Sequence, residues 1–153
     1  MEDQELDIRL TGLSQVKDRT KLYRWEVMRH QSEDVDVALS TDFEKDSVNS
    51  TVTLRITVRY TALRGQIRRR LLDYSADATF AVSRIDGLVD VSDEELLVSI
   101  PLLRLMLGIA IGAIRGMIAV YVAGTVLEKF PLPLYNLETL VENIVAAGQP
   151  LDA

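Results

Sequence analysis

The stretch TVTLRITVRYT, Thr51 to Thr61, alternates throughout: Val52, Leu54, Ile56, Val58 and Tyr60 fall on one side of an extended chain, and threonines and arginines fall on the other. Successive side chains of a strand point to opposite faces, so this period of two, rich in β-branched residues, is the pattern of a half-buried strand. The same pattern extends in both directions. Before it, Val35, Val37, Leu39, Thr41 and Phe43 alternate with Asp36, Ser40 and Asp42. After it, Leu72, Tyr74, Ala76, Ala78, Phe80 and Val82 share one face, opposite Asp73, Ser75, Asp77 and Thr79. Leu63-Arg64-Gly65-Gln66 supplies a glycine for the reversal between the second and third of these strands, and Ile85-Asp86-Gly87 ends the third. A further strand is expected within residues 6–30. Together these make an antiparallel meander with one dry and one wet face.

The period then changes. Ser92-Asp93-Glu94-Glu95 has the form of a capping box opening a short helical turn, and Pro101 fits the first turn of the next helix. From Leu102 to Leu127 the chain is almost continuously apolar, its charges limited to Arg104 and Arg115, which predicts one long helix. Pro131-Leu132-Pro133 stops it. Asn136 is placed to cap a final helix whose Leu137, Leu140, Val141, Ile144 and Val145 follow a helical apolar spacing, with Gly148 and Pro150 beyond its end. Strands first and helices after predict an α+β fold: a four-stranded antiparallel sheet, a long apolar helix and a C-terminal helix, as a single domain over residues 1–153.

That long helix sets a problem. A surface helix shows one apolar stripe, whereas this one is apolar nearly all round, and a single sheet covers only one side. Gly108, Gly112 and Gly116 add a small-residue ridge that permits close helix contact. With Arg115, they are the expected oligomer interface. The alternative cover is lipid, with residues 105–127 forming a single membrane span. Ten Leu, Ile or Val residues there contribute roughly −4 kcal/mol to insertion, and Arg115 at mid-span opposes it by about 3 kcal/mol. Insertion is therefore near neutral.

Composition narrows the function. The chain has 153 residues, a net charge of −6 and no cysteine. The acidic balance argues against general nucleic-acid binding, and the absence of cysteine removes disulfides, thiolate metal sites and Cys nucleophiles. Arg64, Arg68, Arg69 and Arg70 are the local exception, read as a solvated hairpin end or a site for an acidic partner. The N-terminus, Met1-Glu2-Asp3-Gln4-Glu5, has no apolar stretch of secretory type, which sets an expectation of a cytoplasmic protein. The only histidine, His30, stands in no motif. No phosphate loop follows a strand. Asp73 and Asp77, four apart in a strand, are about 13 Å from each other, too far to share a proton. No enzyme, cofactor or metal is expected.

The order of elements and several short motifs resemble the SecB chaperones, most of all the SecB-like branch that accompanies toxin–antitoxin systems. The motifs are Ser14-Gln15-Val16-Lys17-Asp18, Leu71-Leu72-Asp73-Tyr74 leading to Phe80-Ala81-Val82, Asp90 to Leu96, Ile114-Arg115, and Leu132-Pro133-Leu134 with Leu137-Glu138-Thr139-Leu140. The chain departs from the family where an aromatic-Pro-Tyr precedes the helix arginine, having Ile111-Gly112-Ala113 instead, and it has no counterpart of the metal-assisted C-terminal tail. The resemblance implies an ATP-independent holdase for unfolded polypeptides, engaged in protein export or antitoxin chaperoning. It further implies a dimer of dimers with the main helices between the sheets, and client grooves on the outside. Tyr23, Trp25, Val27, Leu134 and Leu137 are the client-groove residues it points to. Leu71 and Asp73 match positions where the family's sheet meets the SecA motor. A dedicated chaperone for one antitoxin and a structural oligomer without a client remain alternatives.

Overall fold

The structure, a computed structural model, describes residues 8–29, 34–64, 66–82, 89–91, 96–98 and 100–146. His30, Gly65, Ile85-Asp86-Gly87, Ser92 to Glu95, Gly148 and Pro150 lie outside the described residues, as does the side chain of Arg64.

The chain opens with β1 (Ile8–Gln15), a 3-10 turn (Lys17–Arg19) and β2 (Lys21–Leu22), followed by the short α1 (Arg24–Arg29). Three long strands follow: β3 (Asp34–Asp46), β4 (Thr51–Arg64) and β5 (Ile67–Val82). Their order in the sheet is β1-β5-β4-β3, all antiparallel, with β2 pairing β5 at Asp73 and Leu72, further along the edge that β1 occupies. The four expected strands are therefore present, with β2 as an addition. β3 and β4 stay in register over their full overlap, and the turn between them is held by Asp46, whose carboxylate accepts from Val48 N at 3.0 Å and Asn49 Nδ2 at 2.7 Å.

Alternation sorts the faces of β4 and β5 as the pattern requires: Val52, Leu54, Ile56, Val58 and Tyr60 are buried together with Leu72, Tyr74, Ala76, Ala78, Phe80 and Val82. The opposite face carries cross-strand polar pairs. Arg55 donates from Nε and Nη2 to the carboxylate of Asp77 at 2.7 and 3.0 Å, and the hydroxyls of Thr57 and Ser75 lie 2.8 Å apart. That face is not wet throughout, because the 3-10 turn folds over it: Val16 N donates to Ser75 O at 2.8 Å, and Ser75 N donates to Thr20 Oγ1 at 3.2 Å. Ser75 is buried as a result.

Two three-residue strands, β6 (Val89–Val91) and β7 (Leu96–Val98), pair as a separate ribbon. This corrects the expectation of a short helical turn running up to Pro101, since Leu96 to Val98 is extended. The long helix is α2 (Ile100–Tyr121), with Pro101 in its first turn as expected. Its end comes six residues before Leu127. Gly124 takes φ +82°, a left-handed conformation open to glycine, and Thr125 accepts from Leu127 N at 3.2 Å to start a 3-10 turn (Val126–Lys129). The last element is α3 (Leu137–Ala146), capped by Asn136, whose Oδ1 accepts from Glu138 N at 3.0 Å.

α2 lays Leu102, Leu103, Met106, Leu107, Ala110, Ile111, Ile114 and Ile118 on the sheet, every one of them buried. Each of the Leu, Ile and Met side chains contributes about 1.5–3 kcal/mol of burial free energy, so this seam is a large part of the core that α2 shares with β4 and β5. The helix is long and apolar enough to cross a membrane. Its packing across the sheet makes it the core helix of this fold, and that disfavours the single-span alternative. The other side of α2 remains uncovered at Leu105, Ile109, Gly112, Gly116 and Val120, all exposed, whereas Gly108, expected in the oligomer interface, is met by Leu137 of the C-terminal helix.

Candidate polypeptide-binding groove

An open apolar groove lies where α1 meets the end of α2. Tyr23 N donates to Leu71 O at 3.0 Å, which pins the start of α1 to the edge of β5 directly after β2. Val27 then turns inward and is buried, while Trp25 and Met28 point outward with 73% and 78% of their surface exposed. Between α1 and the turn that follows α2 lies a groove of about 560 Å³. Leu22, Arg24, Val27 and Met28 line it from one side; Tyr121, Gly124, Thr125 and Val126 line it from the other. Tyr121 is fixed from beneath, its ring standing edge-on to Tyr74 with centroids 5.3 Å apart. Burial pushes the Tyr74 hydroxyl above the usual phenol range, so that ring stays neutral. A groove of this size with an apolar lining and few polar groups suits a stretch of side chains from another chain.

Beside the groove, Asp73 gathers charge. Its carboxylate accepts from Arg59 Nε at 2.9 Å and from the Tyr23 hydroxyl at 3.1 Å, with Arg70 Nη1 at 3.7 Å. Lys21 Nζ sits 4.7 Å from the centre of the Tyr23 ring.

A second region runs back along α2. The linker after the 3-10 turn is tied down by Arg115, which donates from Nε to Leu132 O at 3.1 Å and from Nη2 to Pro133 O at 2.8 Å. Leu132 is buried, while Leu134 is 88% exposed. Further on, Leu137 packs over Gly108, its Cδ1 3.4 Å from where a Cβ on that glycine would stand. Arg104 Nη2 donates to Glu138 Oε2 at 2.9 Å.

The residues expected from the sequence are thus divided between two places. Leu137 faces Gly108, thirteen residues along α2 from Tyr121, or about 20 Å at the helical rise. In the single chain, Leu134 and Leu137 do not share the groove that Val27 lines. Tyr23 is committed to Asp73 and Leu71, and Trp25 stands on the outer surface of α1. Two expectations need correction. Leu71 is fully buried (0% exposed), because a register shift between Tyr60 and Thr61 makes it the extra residue of a bulge and turns it inward beside Leu72. As folded, it has no surface to offer a partner. Arg115 holds its own chain's linker instead of pointing into the uncovered side of α2. Gly112 and Gly116 do lie on that side, and nothing stands within 4 Å of a Cβ built on either. Met28, Tyr121 and the Gly124–Val126 turn were not anticipated as lining. Gly124 was the one available signal, and it is masked by the apolar residues that continue to Leu127, because the stop lies in its positive φ and not in hydropathy.

No protein-family model matches the sequence, and no curated protein matches it. Among solved structures the fold is similar to that of the Mycobacterium tuberculosis Rv1957 SecB-like chaperone in complex with a ChAD peptide from the Rv1956 HigA1 antitoxin, at 16% identity and a TM-score of 0.50, covering 84% of this chain and 89% of that one. A likeness at this identity is one of fold, and the fold it supports is the SecB-like α+β arrangement expected from the sequence.

Proposed function

We propose that this chain is an ATP-independent holdase chaperone that takes apolar segments of unfolded polypeptide into the groove between α1 and the end of α2. The observation that carries this reading is the groove itself, an open apolar concavity of about 560 Å³ beside exposed Trp25 and Met28 on a SecB-like fold. The working form is a homo-oligomer, with a tetramer as the specific proposal, closed by the uncovered side of α2. Leu105, Ile109 and Val120 would otherwise stay in water there, beside glycines that allow a second helix to approach closely. Cytoplasmic residence belongs to the same proposal.

The test is suppression of aggregation of several unrelated unfolded proteins, without ATP, at near-stoichiometric ratios. Suppression across the panel supports a general holdase. A protein that assembles and yet protects none of them overturns that reading. A dedicated antitoxin chaperone is the second reading, favoured by the antitoxin peptide bound to the similar Rv1957 chaperone. It is supported instead if only an antitoxin among the clients is protected.

A further inference from the structure

We infer that the flank of α2 at Arg115 is a second polypeptide site, kept closed by the chain's own segment Pro131 to Tyr135, and that a bound unfolded chain takes that segment's place. The site shares no residue with the groove at the end of α2. Its present occupant belongs to no helix or strand and is held as any unfolded chain could be held. Arg115 donates from Nε to Leu132 O at 3.1 Å and from Nη2 to Pro133 O at 2.8 Å. Both acceptors are main-chain carbonyls, which every polypeptide carries, and the two prolines have no N–H to be read. One side chain anchors the segment: Leu132 is buried, while Pro131, Pro133 and Leu134 around it are exposed. An aliphatic anchor with its carbonyl on a guanidinium fork asks for chain shape and one apolar residue, and for little else in the sequence.

Closure also leaves a polar group unsatisfied. The Tyr135 hydroxyl is buried with no hydrogen-bond partner among the described residues, which opposes the closed state, and departure of the segment returns it to water. The ends stay fixed, because Leu127 before the segment and Val141 after it are buried, so it leaves as a loop while the fold stays intact. Exchange is then between like contacts. The tethered segment has an effective concentration in about the millimolar range, so a short free peptide displaces it poorly. An unfolded client already held elsewhere on the protein presents its next segment at a comparable concentration and competes. The class of segment taken is an aliphatic residue in an irregular stretch with free carbonyls, proline allowed on either side.

Two measurements on the full chain test this. In the first, a fluorescent peptide of residues 129–136 is titrated by anisotropy into wild type and into the double variant Pro131→Gly, Pro133→Gly. Both prolines are exposed, so the change loosens the segment without unpacking the core, each by about two- to five-fold. The variant should bind the peptide at least about four-fold more tightly than wild type. That gain should persist when Trp25→Ala and Met28→Ser are added, and vanish for a peptide with Ser in place of the leucine that matches Leu132. No gain, or the same gain for the Ser peptide, overturns the inference. A gain lost with Trp25 and Met28 overturns it too and puts the peptide in the groove. In the second, the absence of native cysteine makes Leu132→Cys a single reporter thiol. Its alkylation should accelerate several-fold when a reduced, carboxymethylated unfolded protein forms a complex that co-elutes on gel filtration, whereas a buried thiol in Val52→Cys should not respond. Unchanged or slower labelling at position 132 overturns the inference and leaves the groove standing. Acceleration at both positions overturns it as general loosening. If no complex forms, the groove reading fails and the peptide titration alone decides.

Discussion

The ring of Tyr121 meets the ring of Tyr74 edge-on, with centroids 5.3 Å apart and planes at 65°, so the last residue of α2 is fixed to the middle of β5 at the floor of the groove. An edge-to-face pair adds about 0.5–1.5 kcal/mol to the area the rings bury. Tyr121→Ala is therefore expected to lower stability in urea by about 2–3 kcal/mol, the pair together with part of a half-buried side chain. It should also weaken peptide binding, since one wall of the groove loses its anchor. Tyr121→Phe keeps the ring and should retain both properties. Urea midpoints together with anisotropy would check this, and equal losses in the Phe and Ala variants would refute the account.

Arg115 ties the linker to α2 through two carbonyls, Leu132 O and Pro133 O. Hydrogen bonds to a charged donor contribute about 1.5–3 kcal/mol each when sheltered, and less where solvent reaches them, as it does at Pro133. Arg115→Ala is expected to cost about 2 kcal/mol in total and to expose the chain near Leu134 to limited proteolysis. Arg115→Lys, which cannot reach both carbonyls with one planar fork, should recover only part of the protection.

Much of the fold was legible because β4 and β5 are long enough for the period of two to show, and because Asn136 and the apolar spacing behind it mark α3 plainly. Three features were not legible, each for a physical reason. A six-residue helix such as α1 spans under two turns, too few for a 3.6-residue period to appear, so Tyr23, Trp25 and Val27 were read as part of a strand region. The burial of Leu71 depends on a bulge, and strict alternation through Leu72 puts it on the wrong face. The end of α2 was hidden because apolar residues continue through Leu127, and the stop at Gly124 lies in backbone conformation more than in hydropathy. The uncovered side of α2 was legible from composition alone, since one sheet cannot cover a helix apolar on every side.

The hydroxyl of Tyr60 is buried with no hydrogen-bond partner among the described residues, and burial pushes its pKa up to about 12, with the nearby Tyr135 hydroxyl adding to the shift. An unfolded tyrosine ionises near 10. Because the folded state disfavours the ionised form, the stabilisation is complete below pH 10 and is lost as the pH rises through 12, amounting to about 2–3 kcal/mol in all. Tyr60→Phe removes the orphaned hydroxyl without opening a cavity. It should match or exceed the wild type by about 1 kcal/mol at pH 7 and flatten the alkaline limb. Denaturant unfolding at pH 7 and pH 11 would check it. A Phe variant that is several kcal/mol less stable at pH 7 would mean that the hydroxyl has a partner after all.

Gly112 and Gly108 separate assembly from folding. A Cβ at Gly108 would meet Leu137 Cδ1 at 3.4 Å, whereas nothing lies within 4 Å of one at Gly112. Gly112→Leu should therefore leave the single chain folded, and even strengthen α2 by up to about 1 kcal/mol, the helix-propensity difference from glycine. If the uncovered side of α2 is the interface, the same leucine overpacks it at about 1–3 kcal/mol per contact, repeated at every symmetry-related site. The expected result is a lower mass by light scattering with an unchanged circular dichroism spectrum. An unchanged mass would place the interface elsewhere.

Trp25 and Met28 lie on the outward side of α1, mostly exposed, while Val27 between them is buried in the core. Core and surface roles on this one helix can therefore be told apart by substitution. Val27→Ala removes buried methyl groups and should cost about 1–3 kcal/mol of stability, carrying any loss of chaperoning with it. Trp25→Ala with Met28→Ser changes exposed groups and should shift stability by less than about 1 kcal/mol. Yet it removes most of the apolar surface α1 offers to a client, at about 25 cal/mol per Å² of area buried in the complex. The double variant should keep its mass and its urea midpoint and suppress aggregation several-fold less well than wild type. Salt should hardly change that deficit, because the missing contact is apolar and not screened. Measuring mass, midpoint and aggregation for both variants at two salt concentrations decides the matter. If the double variant protects clients as well as wild type does, α1 is not part of the client site and the groove between it and α2 serves some other purpose.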